Sequence, residues 1–255
     1  MTPATGDPIR TAQKLSAQPL PKRFYKEATV AARPEGHWLH LDGKPAHTPA
    51  RAPLAVPVAG LATRLVEEWN AQDGTIDPAR MPYTRLVNTA IDGVRGREAE
   101  VLHDVLSYAQ SDLLCYRAES QEGLAERQRE LWDPVVDWLA EEAGVRPVLI
   151  AGVMHQAQPA GLTGAMRGFL PDDDAFALAA LHVITTLTGS AILALAVRRG
   201  RLSGGEAWML AHLDEDWQMA LWGKDEDALR RRARREGEMN AAAEILALLS
   251  GGSEA

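Results

Sequence analysis

The chain of 255 residues is 46% apolar and 24% charged, the proportions of an ordinary folded protein rather than a disordered one. Its 27 basic and 35 acidic residues leave a net charge of −8, which opposes contact with phosphate backbones and argues against a nucleic-acid partner. A single cysteine cannot close an internal disulfide, so the composition fits a reducing compartment, and the cytoplasm is the expected location.

Residues 1–22 carry prolines and scattered polar residues where a signal peptide needs an unbroken apolar core, and they read as a flexible arm. Residues 23–57 read as a β-rich domain. RFYKEATV alternates around aromatic and β-branched residues, HWLHL alternates again, and Asp42-Gly43 is a two-residue hairpin signal before KPAHTP. Pro45, Pro49, Pro53 and Pro57 then exclude a long continuous strand.

From residue 58 to 250 the period becomes helical. Leu61, Leu65 and Trp69 share a face, and a turn-rich connector with a short helix near Thr84–Ala90 follows. Further helices are predicted over 98–117, 124–142, 160–170, 174–199, 203–222 and 225–249, the fifth opened by the Ser203/Glu206 capping box. The uncharged run Ala175–Val197 is long enough to span a bilayer, yet its alanines, threonines and His182, set after Asp172, Asp173 and Asp174 as an N-terminal cap, favour a buried central helix without stable membrane insertion. LRRRARRE resembles a basic patch, but Glu226/Arg230, Asp227/Arg231 and Arg232/Glu236 fall at i, i+4 and predict a solvated, salt-bridged face. Segregated strands and helices make the fold class α+β: a small β-rich part followed by a larger orthogonal helical bundle.

No catalytic set emerges. On a helix spanning 98–117, His103 and Cys115 are about 18 Å apart along the axis and about 120° apart around it, so they cannot form a dyad. The alternative of a thiol- or metal-dependent hydrolase using Cys115 or the histidines therefore lacks a motif: there is no H-E-x-x-H, C-x-x-C, Walker A loop, G-x-G-x-x-G or G-x-S-x-G. No cofactor is expected. Asp112, at the edge of the seam formed by Val101, Val105, Leu106, Ala109, Leu113 and Tyr116, reads as a structural partner of an arginine or a backbone amide.

The helix over 203–222 is different. Its main apolar face collects Met209, Leu210, Leu213, Trp217, Ala220 and Leu221, while Trp208, Glu215, Met219 and Trp222 project together on the other side. A second aromatic stripe around a carboxylate fits either a helix buried on two sides or a partner surface.

RFYKEATV, LDGKPAHTP, EEWNAQ, MPYTRLVNTAID, SYAQSDLLCYRA, WDP, HVITTLTGS and LDEDWQMALWG, in this order and spacing, resemble the family of F₁-ATPase assembly chaperones that serve the alpha subunit. The resemblance runs from about Arg23 to Leu249. It implies a small β domain with an orthogonal helical bundle, no enzymatic activity, and one partner, the unassembled F₁ alpha subunit, whose subunit interface the chaperone shields until the F₁ sector assembles; the free protein is expected to be monomeric. It also places a sensitive segment at Asp214, Glu215 and Asp216 with Gln218, Trp222 and Gly223, to which Trp208 and Met219 belong by helical projection. Trp38 with the Asp42-Gly43 hairpin is either a second candidate contact or part of the β-domain core. The absence of a long targeting extension before Arg23 suggests a bacterial member.

Overall fold

The computed structural model describes residues 19–119, 123–152, 154–170, 174–223 and 225–251. Most of the expected arm, and Asp172 and Asp173, lie outside the described residues.

Strand β1 (Ala28–Arg33) pairs antiparallel with β2 (Gly36–Leu41) in the register Ala28↔Leu41 to Arg33↔Gly36. The other edge of β2 is shared by two short strands, β3 (Lys44–Pro45) opposite His40 and Leu41, and β4 (Ala55–Val56) opposite His37 and Trp38. Asp42 and Gly43 make the predicted tight turn with φ of 48° and 76°, the doubly positive geometry that matches strand twist. The Asp42 carboxylate accepts hydrogen bonds from the Lys26 and Glu27 amides, which hold its pKa below the ordinary range and tie the chain entering β1 to the hairpin. That anchorage explains why the strand starts at Ala28 and not at Arg23. The Arg23 side chain instead donates to the Tyr25, Asn70, Gln72 and Lys26 carbonyls, stitching this segment to the helix that follows.

Helix α1 (Ala59–Asn70) buries Leu61, Ala62 and Leu65, the stripe that the 3.6-residue period predicts, and packs on β1 and β2. Glu68 on the same helix is buried because its carboxylate caps the next one. It accepts from the Tyr83 and Thr84 amides (2.7 and 2.8 Å) and from the Thr84 hydroxyl (2.7 Å) at the start of α2 (Pro82–Thr89). Burial pushes its carboxyl pKa up, and these donors oppose the shift. A π-helical turn over Ala90–Val94 leads to α3 (Glu98–Ser107).

Here the structure corrects the sequence. Helix α3 ends at Ser107 rather than Arg117, and two 3₁₀ turns, Tyr108–Gln110 and Leu113–Cys115, carry the chain into strand β5 (Tyr116–Arg117), parallel to β6 (Ile150–Ala151). The cause is tertiary. The Asp112 side chain caps the second turn through Leu114 N–H, and the Leu113 amide donates to the Gly189 carbonyl 3.0 Å away, so this backbone is committed elsewhere.

Helix α4 (Leu124–Ala143) admits Pro134 in its interior. Short α5 (Leu162–Arg167) precedes the apolar run, which is two helices and not one: α6 (Ala175–Thr188) and α7 (Ala191–Arg198). Asp174 caps α6 by accepting from the Phe176 and Ala177 amides, as the sequence predicts. Gly189, with φ of 69°, ends it in the left-handed conformation, and Ser190 caps α7 by accepting from Leu193 N–H. Fourteen residues of α6 span about 21 Å, and among the described residues no helix is long and apolar enough to cross a membrane. Both helices are buried, α6 against α3, α7 and the C-terminal helix.

Asp112 sits at the junction between the two helices. It is completely buried rather than at an edge, accepting from the Ser190 hydroxyl at 2.7 Å, the Ile192 amide at 3.0 Å and the Leu114 amide at 3.1 Å. Burial pushes its pKa up to about 6 against these donors.

The remaining helices are α8 (Gly204–Ala211), α9 (Leu213–Trp222) and α10 (Glu226–Gly251). The second half of α10 enters the core through Met239, Ala241, Ala242, Ile245 and Leu246, and packs on α6 and α8. Glu244 anchors it further, accepting from Arg64 Nε at 2.6 Å and from the Tyr83 hydroxyl. Sheet and helices share one contiguous apolar core.

Candidate partner-binding surface

The predicted helix over 203–222 is broken. Its start is as expected: Ser203 Oγ accepts from Glu206 N–H and Glu206 accepts from Ser203 N–H, a complete capping box. His212, with φ of −105° and ψ of 15°, then interrupts the helix between α8 and α9. Its Nδ1 pairs with the Trp208 carbonyl at 2.9 Å and its ring stacks on the Trp208 indole with centroids 3.7 Å apart. Burial lowers the His212 pKa, so a neutral imidazole donating from Nδ1 is the consistent state.

The break redistributes the side chains that a continuous helix would align. Trp208 is buried at 3% exposure in the core, so it does not join Glu215, Met219 and Trp222 on one surface. Conversely Met209 and Leu221, expected on the inward face, are exposed, and Leu213 is the buried residue of α9. Trp222 is 83% exposed at the end of α9, next to exposed Leu221. Trp217 is half-buried, with its indole lying over Gly123, where an added Cβ would meet the ring at 2.9 Å.

The carboxylates of α9 have separate tasks. Asp214 accepts from Gln128 Nε2 at 2.8 Å, which fastens α9 to α4, and the Oε1 of the same side-chain amide accepts from Ala118 N–H. Asp216 holds Arg232 of α10 through two parallel contacts of 2.5 and 2.9 Å. The salt-bridged reading of α10 is thereby corrected for Arg232, which reaches across to α9 rather than to Glu236, and for Arg231, because Asp227 pairs with Arg230 instead, while Arg230 does pair with Glu226. Glu215 is exposed and has no hydrogen bond or ion pair among the described residues. All three acidic residues stand in the first turn of α9, where the helix dipole favours them.

Between α9 and α10 lies a groove of about 600 Å³ lined by His212, Asp214, Glu215, Gln218 and Met219 on one side and by Ala228, Arg231, Arg232 and Arg235 on the other. The structure thus gathers Asp214, Glu215, Gln218 and Met219 around one concavity, with Asp216 bracing its far wall and Trp222 exposed at its helix end. The arginine wall escapes a reading of the sequence, because its charges look locally neutralised and only the packing of α10 beside α9 turns some of them inward.

Trp38 is elsewhere, half-buried on β2 beneath the Arg33 guanidinium, 4.3 Å from the ring centroid. A second cleft, of about 400 Å³, opens on the hairpin side between Tyr25, Asp42, Lys44, His47 and Trp69. Phe24, 72% exposed, stands at this cleft edge-on to Tyr25, and sequence reasoning did not single it out.

Cys115 is fully buried, whereas His103 is exposed on α3. Burial, with Asp112 adding to it, pushes the thiol pKa up to about 12, so the thiolate that nucleophilic chemistry needs is absent at neutral pH. Among the described residues no group of three or more His, Cys, Asp or Glu side chains converges to hold a metal ion.

The sequence model of the family described as ATP12 chaperone protein matches residues 22–140. The mitochondrial protein atp12 of Schizosaccharomyces pombe is 27% identical over 223 residues, spanning 83% of this chain and 77% of its own length. Among solved structures, the Atu1473 protein of Agrobacterium tumefaciens is 49% identical, with a TM-score of 0.85 over 96% of this chain and 92% of that one. Atp12 from Paracoccus denitrificans is 36% identical, with a TM-score of 0.83 over 89% of this chain and 98% of that one. With this identity extended over nearly the full length of a solved Atp12, the chain belongs to the ATP12 chaperone family.

Proposed function

We propose that this protein is a chaperone of ATP synthase assembly that binds the unassembled F₁ alpha subunit, covers the surface through which that subunit later meets its neighbours, and yields it on assembly. The observation that carries this reading is the surface of α9. A mostly unburied helix exposes Glu215 in its first turn and Leu221 and Trp222 at its far end, in a member of a chaperone family. Exposed indole and aliphatic side chains next to charge mark binding patches, since ordinary solvent faces do not group them. A holding chaperone has to lose to the larger interface that replaces it, and a small apolar patch with a charged rim is suited to such exchange. Asp214 and Asp216 brace this surface against α4 and α10, Gln218 and Met219 contribute to the groove, and Trp38 on the sheet is a second contact in the same proposal. Trp208 acts in it only by holding the α8–α9 junction in place.

Co-expression with the F₁ alpha subunit alone tests the proposal: alpha is expected to stay soluble and to copurify with this chain. Equal aggregation of alpha with and without the chain sinks it.

A further inference from the structure

The charges of the groove between α9 and α10 are segregated: the arginines stand on α10 and the carboxylates on α9. Arg232 is neutralised by Asp216, but Arg231 has no hydrogen bond or ion pair among the described residues, and Arg235 donates only to the Leu187 carbonyl at 3.3 Å. On a chain of net charge −8, these two guanidinium groups line the same groove as the apolar side chains Met219 and Ala228. Across the groove stand Asp214 and Glu215, the latter without a hydrogen bond or ion pair among the described residues, so one wall of the groove is basic and the other acidic.

We propose that this groove is a charge-divided docking site for one segment of the bound subunit, which places a carboxylate against Arg231 and Arg235 and an apolar side chain on Met219 and Ala228. This rests on the proposed binding of the alpha subunit and assigns to α10 a recognition role that α9 alone does not supply. Guanidinium groups match carboxylates with paired donors, and their weak hydration lowers the cost of drying the contact. The acidic wall excludes a second carboxylate, so the divided charge fixes the direction in which the segment lies.

The test compares capture of the F₁ alpha subunit by the full chain and by two charge-reversal pairs. One pair, R231E with R235E, alters the groove; the other, R230E with R234E, makes the same net change on exposed positions of α10 that do not line it. The groove pair is expected to weaken capture about tenfold or more, with thermal unfolding unchanged, and the control pair to change it little. If the groove pair does not fold, R231Q with R235Q replaces it, with weaker capture and a shallower salt dependence expected. Normal capture by the groove pair, or an equal loss from both pairs, overturns the docking site while leaving binding of alpha standing. Failure of the unaltered chain to capture alpha removes the functional reading itself.

Discussion

Replacing Asp112 probes the arrangement that holds the bundle together. Its carboxylate is fully buried and satisfies two backbone amides, Leu114 and Ile192, and the Ser190 hydroxyl, so Asp112→Ala leaves two amide donors with no partner. Each orphaned buried donor costs about 1–3 kcal/mol. Against this, removal of the charge relieves a desolvation penalty. The rise of the Asp112 pKa from 3.8 to about 6 corresponds to about 3 kcal/mol at neutral pH. In the alanine variant at pH 7 this relief offsets part of the cost of about 2–6 kcal/mol for the two donors, and it vanishes at low pH, where the native carboxyl is protonated and carries no such penalty. Because the folded pKa is raised, the contribution of Asp112 is greatest below pH 4 and declines as pH rises through about 6. Asp112→Asn is the sharper variant, since its amide cannot accept from all three donors and carries no charge. Urea unfolding at pH 4 and pH 7 is expected to show this variant destabilised more at pH 4, by about 2 kcal/mol. A destabilisation that is larger at pH 7 refutes the reasoning, because it would mean that the native site favours the ionised carboxylate.

Trp208→Ala is expected to cost about 3–5 kcal/mol in urea unfolding, because it empties a core site and unstacks His212, whereas Trp222→Ala leaves stability within about 0.5 kcal/mol and weakens capture of alpha. Comparable unfolding midpoints for the two variants contradict that division. Glu68→Gln removes part of the α2 cap and is expected to lower stability by about 1–3 kcal/mol, read from the shift in urea midpoint. Cys115 is expected to resist a thiol reagent in the native protein and to react in urea, and Cys115→Ser to capture alpha normally; rapid native labelling contradicts its burial.

The sequence by itself determined whatever depends on local order. The Asp42-Gly43 turn, the Leu61/Leu65 stripe, the Ser203/Glu206 box and the Asp174 cap are each set by residues within a few positions, and each appears as read. The order of motifs also sufficed to recognise the chaperone family. Tertiary contacts end the helical patterns at Ser107 and His212, whereas the break at Gly189-Ser190 carries its own local stop and cap, which the long apolar run masked. The period of 98–117, 174–199 and 203–222 continues in sequence, but Asp112 draws Leu113–Cys115 and the Ser190 junction together, and His212 folds back on Trp208. The break at His212 reorients the residues after it relative to buried Trp208, which exposes Leu221 and sets Arg231 and Arg235 across a groove from Glu215. A helical projection assumes one unbroken axis, and no local signal could place two partners far apart in the chain on opposite walls of one groove.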